Sequence, residues 1–179
     1  TNAAKYHAFC WKANGGTTSS NTDGDITTTI QTNSTAKMSL FTYTGNSSGA
    51  GQTIGHGLGV KPDWIQIMRR DSAFYRAYHK SFNPAATSEG DATRGWEWAG
   101  GTPSPPHNNA NAWNDTEPTS TLITLGSSMN TNTGTYVGVA WAEVQGYNKF
   151  GHFVGNGSTN GPFVYTGFKP KYMWYRNVS

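Results

Sequence analysis

Apolar and polar residues alternate over short stretches of this chain, and turn formers separate the stretches. Runs of this kind predict strands near 5–12, 38–44, 51–58, 62–70, 74–80, 94–99, 120–126, 134–143, 149–155, 161–168 and 171–177. The run from Trp64 to Arg70 alternates only in part, as a half-buried strand does. Tyr136–Trp141 is almost uniformly apolar or small, the pattern of a strand covered on both faces. Lys-Pro at 61–62 and 169–170 falls at strand starts, where a missing amide hydrogen costs no ladder bond. One segment fits two periods: Phe74, Tyr78 and Phe82 have helical spacing, yet the aromatic density favours a strand. Two stretches lack the pattern. Residues 13–36 read as a polar connector with room for one short strand. Residues 83–119 hold five of the eight prolines and three tryptophans, Trp96, Trp98 and Trp113. A connection that long is usually functional or packs as its own subdomain.

The pattern also repeats. Tyr6-His-Ala-Phe-Cys-Trp11 returns as Tyr136-Val-Gly-Val-Ala-Trp141, and Leu40–Asn46 returns as Phe150–Asn156. Gly59-Val-Lys61-Pro62-Asp-Trp64 returns as Gly167-Phe-Lys169-Pro170-Lys-Tyr172. The separations are 130 residues (6 to 136), 110 (45 to 155) and 108 (62 to 170), in one order along the chain. Self-similarity on that scale predicts tandem units. Residues 1–36 then read as the end of a preceding repeat plus a polar connector. Residues 37–144 form a complete unit, and 145–179 start the next. Two equivalences follow as expectations: Tyr6–Trp11 with Tyr136–Trp141, and Trp64–Met68 with Tyr172–Arg176. Gly45, Gly155 and Gly157, two of them before asparagine, are expected in tight turns at positive φ.

Composition sharpens the class. Thr, Asn, Ser and Gly number 24, 16, 15 and 22 of 179 residues, while aromatic and charged residues each make up 13%. Disordered chains combine high charge with few aromatics, so this chain folds; threonine and aromatics favour strands, Asn and Gly favour turns. The expected fold is an all-β, antiparallel β-sandwich, jelly-roll-like, built from tandem repeat units with very little helix. The net charge of +3 is small and the basic residues are scattered, which argues against nucleic acid as a partner. No apolar run reaches the ~18 residues of a membrane helix, so no membrane partner is expected. The single cysteine, Cys10, permits no intrachain disulfide and lies in an alternating run as a small hydrophobe. Thr1–Lys5 lack the layout of a signal peptide, so either a leader has been removed or export takes another route.

The repeated residues carry a family likeness. Glu143–Gly157 with Gly161–Pro170, Trp11–Gly16 with Asn21–Gly24, and Trp113–Thr119 together resemble a repeat domain of marine bacteriophage tail-fibre and receptor-binding virion proteins. The likeness covers most of the chain except about 83–111, and its motifs are turns and strands without catalytic residues. It implies a virion component, hence extracellular and beside other virion proteins; terminal strands expected to complete sheets, with edges that template strand addition, predict a homo-oligomer, a trimer for preference.

Asn21-Thr-Asp23-Gly-Asp25 offers three oxygen ligands in five residues, a partial calcium loop without the distant bidentate glutamate. Asx-rich segments more often turn on their own backbone. Glu89, Asp91, Glu97, Asp115 and Glu117 lie in or beside the long loop, where a glycosidase would need two carboxylates flanking a sugar. His7, His56, His79, His107 and His152 show no zinc spacing, and no Gly-x-Ser-x-Gly elbow occurs. The chain therefore reads as non-enzymatic and without a cofactor. Sugar binding draws on Trp96, Trp98, Trp113, His107 and Asn109, with Asn108 and Asn111 beside them: aromatic faces to stack, side-chain amides and an imidazole to hydrogen-bond hydroxyls. The same aromatics could equally pack a core or a subunit interface. The reading from sequence is a structural module of a phage virion supporting host attachment. The alternative is a carbohydrate-binding module of a secreted adhesin or glycan-degrading enzyme, with a host surface glycan as ligand.

Overall fold

Alternating side chains build an all-β antiparallel sandwich, seen in a computed structural model that describes residues 10–72, 74–81, 94–99, 102–103, 107–108 and 110–175. The strands are β1 (Ser19–Asn21), β2 (Thr28–Asn33), β3 (Met38–Thr44), β4 (Gln52–Gly55), β5 (Trp64–Arg69) and β6 (Phe74–His79). They continue with β7 (Arg94–Ala99), β8 (Thr102–Pro103), β9 (His107–Asn108), β10 (Leu122–Leu125) and β11 (Thr135–Trp141). One helical turn, α1 (Ala110–Trp113), and a 3-10 turn at Ser127–Met129 are the only helix among the described residues. The large sheet runs β1-β2-β3-β11-β5-β6-β7-β8, with β9 also on β7; β10 and β4 form the small second sheet.

β11 is the axis of the large sheet. It pairs with β3 from Thr135–Thr44 to Trp141–Met38, and with β5 from Tyr136–Arg69 to Trp141–Trp64. One face carries Phe41, Tyr43, Ile65, Ile67, Tyr78, Tyr136 and Ala140, all buried against Ile54, Ile123 and Leu125 of the small sheet. Each such aliphatic or aromatic side chain stabilises by ~1.5–3 kcal/mol when fully buried. Tyr43 and Tyr136 stack with ring centroids 4.6 Å apart, and their hydroxyls bond Met129 O and Thr131 Oγ1 at 2.9 Å each. Gly138, between Tyr136 and Ala140 on the same face, leaves room for its ladder partner Phe41, since a Cβ there would stand 2.4 Å from the Phe41 ring.

The polar connector contributes more than expected: it supplies two strands, β1 and β2, that extend the large sheet beside β3. The ambiguous aromatic segment is strand β6, paired along β5. On β11, Tyr136, Gly138 and Ala140 are buried, while Val137, Val139 and Trp141 on the other face are only partly covered.

Two expected strands, and the described part of a third, are not formed. Residues 149–155 and 161–168 contain no strand, nor do 171–175, the described part of 171–177. Residues 5–9 lie outside the described residues, and residues 10–12 are not strand. The superposition of Trp64–Met68 on Tyr172–Arg176 therefore fails: the first is β5 and residues 172–175 are irregular. An extended run becomes a strand only with a ladder partner. β3 and β5 both have β11, whereas residues 149–175 enter no backbone ladder among the described residues. The glycine expectation holds only at Gly157, with φ 66°. Gly45 and Gly155 take no positive φ; Gly45 is instead a close approach, where a Cβ would stand 2.1 Å from Thr131 O.

Candidate functional site

Of the residues singled out for sugar binding, Trp113 has a described side chain, and it faces no ligand surface. Trp113 sits on α1, 2% exposed, with its ring edge-on to Tyr78 at 6.2 Å. It is a core residue, and its Nε1 has no hydrogen-bond partner. Its place in a ligand face is corrected on that ground: the apolar ring fills the space between the two layers. Trp96 pairs in the backbone ladder with Ala77, Trp98 with Pro103 and His107 with Gly95. Asn109 lies outside the described residues, as do Glu89 and Asp91. Asn111 is exposed on α1 and bonds Ser127 Oγ through its side chain, 3.3 Å.

The calcium candidates form a turn instead. Asn21 Nδ2 donates to Asp23 Oδ2 at 2.8 Å, and the Asp23 amide donates to Asn21 Oδ1 at 3.2 Å. Asp25 Oδ2 accepts from the Thr53 hydroxyl at 2.8 Å and the Thr53 amide at 2.9 Å, which clasps the β1–β2 connection to β4. The Thr53 hydroxyl bond holds the Asp25 carboxyl below its ordinary range. Among the described residues no three His, Cys, Asp or Glu side chains group as a metal site.

What the fold does assemble is an aromatic and charged cluster on the outer face of the large sheet, which sequence reasoning missed. Ladder partners Trp141 and Trp64 lie side by side at the end of β11 and β5. Trp11 packs edge-on against Trp141 at 5.9 Å, and Trp174 against Trp64 at 5.0 Å. His79, the ladder partner of Trp64, meets Phe150 at 6.1 Å. Three segments remote in sequence thus converge over one end of one sheet. Beside them Lys80 Nζ bridges Asp63 Oδ1 at 3.1 Å and Glu143 Oε2 at 2.9 Å. Glu143 Oε1 in turn accepts from the Phe150 amide at 2.9 Å. Burial raises the Glu143 carboxyl, but bonds from Lys80, the Phe150 amide and Lys149 outweigh it and leave it low. Burial, with Lys80 adding to it, pushes the His79 imidazole down to about 4. The cluster's work is to fasten the chain after β11 onto the outer face. The only early signal for it was that Trp11, Trp64 and Trp141 fall at matched ends of repeated runs.

A second feature is a groove of about 390 Å³ at the β2–β3–β11 end, whose lining includes Thr29, Thr42, Thr44, Thr135 and Arg70. Hydroxyls and a guanidinium there suit a polar, hydroxylated ligand. The remaining loop carboxylates are spread out: Glu117 bonds the Tyr78 hydroxyl at 2.6 Å and Lys61 at 2.8 Å, and Asp115 is exposed. No described helix is long and apolar enough to cross a membrane.

Comparison with known families gives one result. Residues 1–179 match the model of a family described as a domain of unknown function, DUF7483. No curated protein and no solved structure matches the chain.

Proposed function

We propose that this chain, which belongs to the DUF7483 family, is a non-enzymatic structural module of a phage virion, a tail fibre or related appendage supporting host attachment. One observation carries the reading. A sandwich is followed by a flank that repeats the wording of β3 and β5, yet among the described residues the flank enters no ladder and is largely exposed. A building block that completes its sheets by association has that layout. The carboxylates support a mechanical role, since Asp25, Asp63, Asp71, Glu117 and Glu143 each hold a structural bond or ion pair. The resemblance of the repeated motifs to virion repeat domains supports the setting: extracellular, homo-oligomeric and in contact with other virion proteins. Gold-labelled antibody against the chain should decorate the tail appendages of purified particles. A chain missing from purified particles would overturn the reading.

Glycan binding is the second reading, and the threonine groove with Arg70 favours it. On a glycan array the chain would then bind a defined sugar, and Thr42→Val with Arg70→Ala would abolish that binding.

A further inference from the structure

We propose that the threonine groove beside Arg70 takes an acidic saccharide, with a sugar carboxylate on the Arg70 guanidinium and sugar hydroxyls on the threonines around it. The inference rests on the glycan reading above and names the ligand's chemical class and its orientation. The groove lies on the outer face of the large sheet, at the end away from the tryptophan cluster. Two rows of side chains cross the strands there. In one, Thr44 pairs with Thr135, and the Arg70 amide donates to Thr135 O at 2.8 Å, which continues the ladder to Arg70. In the other, two residues along each strand, Thr29 pairs with Thr42, Thr42 with Val137, and Val137 with Met68. Both rows point away from the core, because Tyr43, Ile67 and Tyr136, which alternate with them, are buried.

The polar groups of the two rows are unspent. Among the described residues, the hydroxyls of Thr29, Thr42, Thr44 and Thr135 and the Arg70 guanidinium bond no other protein group. The adjacent charges form a closed pair, since Arg69 holds Asp71 through two bonds, at 2.7 and 3.0 Å. Among the described residues that line the groove, Arg70 alone is charged. Its guanidinium presents a planar fork of donors that fits a carboxylate with two parallel bonds. One cation balances one carboxylate, whereas a phosphate monoester, at about −1.5 to −2, would keep surplus charge. A bare anion would leave the hydroxyls idle. Threonine hydroxyls both donate and accept, as sugar hydroxyls require. Val137 and Met68, the latter 45% exposed, set an apolar shelf beside them for the C–H face of a sugar ring.

Trisaccharides of galacturonic, glucuronic and guluronic acid, each beside its methyl ester, test this by NMR titration of the full chain. The ester keeps the sugar hydroxyls and removes the charge. At least one acid should bind about five- to tenfold more tightly than its ester, with shifts at the Thr44, Arg70 and Thr135 amides. Arg70→Gln should bring acid and ester to the same affinity, and Thr42→Val should weaken both alike. Both variants change exposed side chains, and unchanged amide shifts in the core strands would show that each is folded. Lys12→Gln, which removes an exposed cation outside the groove, should leave the preference intact. A preference that survives Arg70→Gln, or that falls with Lys12→Gln, would reflect general charge attraction and overturn the proposal. A sulfated neutral trisaccharide bound ahead of every uronate would overturn the carboxylate. Equal binding of acid and ester in the groove would overturn the acidic class and leave the glycan reading standing. Binding of no probe would also overturn the proposal, while the glycan array judges the wider reading, so the two failures are distinguishable.

Discussion

Residues 38–69 and residues 150–175 share wording and differ in structure. In the first, Met38–Thr44 and Trp64–Arg69 are strands flanking β11, with Phe41, Ile65 and Ile67 buried. In the second, the matched positions carry no strand, and Phe153, Tyr172 and Tyr175 are about half-exposed or more. Local propensity is similar in the two, so it does not decide the outcome. The difference is the neighbour: β3 and β5 each lose backbone desolvation cost to a ladder with β11, and residues 150–175 have no such ladder among the described residues.

The sharpest way to break this comparison is a matched pair of truncations. Ile67→Ala removes a fully buried side chain and should cost ~2–5 kcal/mol in denaturant unfolding. At the matched position, Tyr175→Ala removes a ring that is 68% exposed and should change stability by no more than about 0.5 kcal/mol. Similar losses at both would mean that the flank is as firmly built as the sandwich.

The next effect reads the cover that the flank lays over β6. His79 titrates at about 4 in the fold against an ordinary 6.5, because burial under neighbours that include Phe150 disfavours the charged ring. Between those values the unfolded chain holds a proton that the fold does not. This stability is complete above pH ~6.5 and is lost as pH falls towards 4, roughly 3–3.5 kcal/mol for about 2.5 units at 1.36 kcal/mol per unit. His79→Phe should flatten the slope over that window in a pH series of unfolding curves. An NMR-measured His79 pKa near 6.5 would mean that the ring is not covered.

Glycines give a third contrast. Gly45→Ala drives a methyl group onto Thr131 O and should destabilise by about 1–3 kcal/mol. Gly155→Ala meets nothing within 4 Å and should shift stability by no more than about 0.5 kcal/mol. Melting temperatures of the two variants decide it. A smaller loss than at Gly45 is expected at Trp11, half-exposed and edge-on to Trp141: Trp11→Ala should cost about 0.5–1.5 kcal/mol, measurable by denaturant unfolding.

Much of the sandwich was legible before the structure. Alternation located β3, β10 and, in part, β5, an apolar run located β11, and the competing helical spacing of Phe74 and Tyr78 lost to the ladder with β5. Alternation reports what a segment would do beside a partner, and it says nothing about whether the partner is present. That is why 149–155 and 161–168 were expected as strands and are not. Trp113 was misplaced for a related reason. A tryptophan in a Pro- and Asn-rich stretch looks exposed from its neighbours, but α1 turns it under the sheet against Tyr78. The matched tryptophans alone did not reveal the outer cluster, because Trp11, Phe150 and Trp174 reach Trp141, His79 and Trp64 only through the register of β11, β5 and β6.

Amide hydrogen exchange, followed from dilute to concentrated protein, tests the central claim most directly. In dilute solution the amides of β3, β5 and β11 should be protected and those of 150–155 and 172–175 should exchange freely. On assembly the second group should gain protection while the first keeps it. Protection of 150–155 and 172–175 that is already present in the monomer, or that never appears in the assembly, would contradict the account.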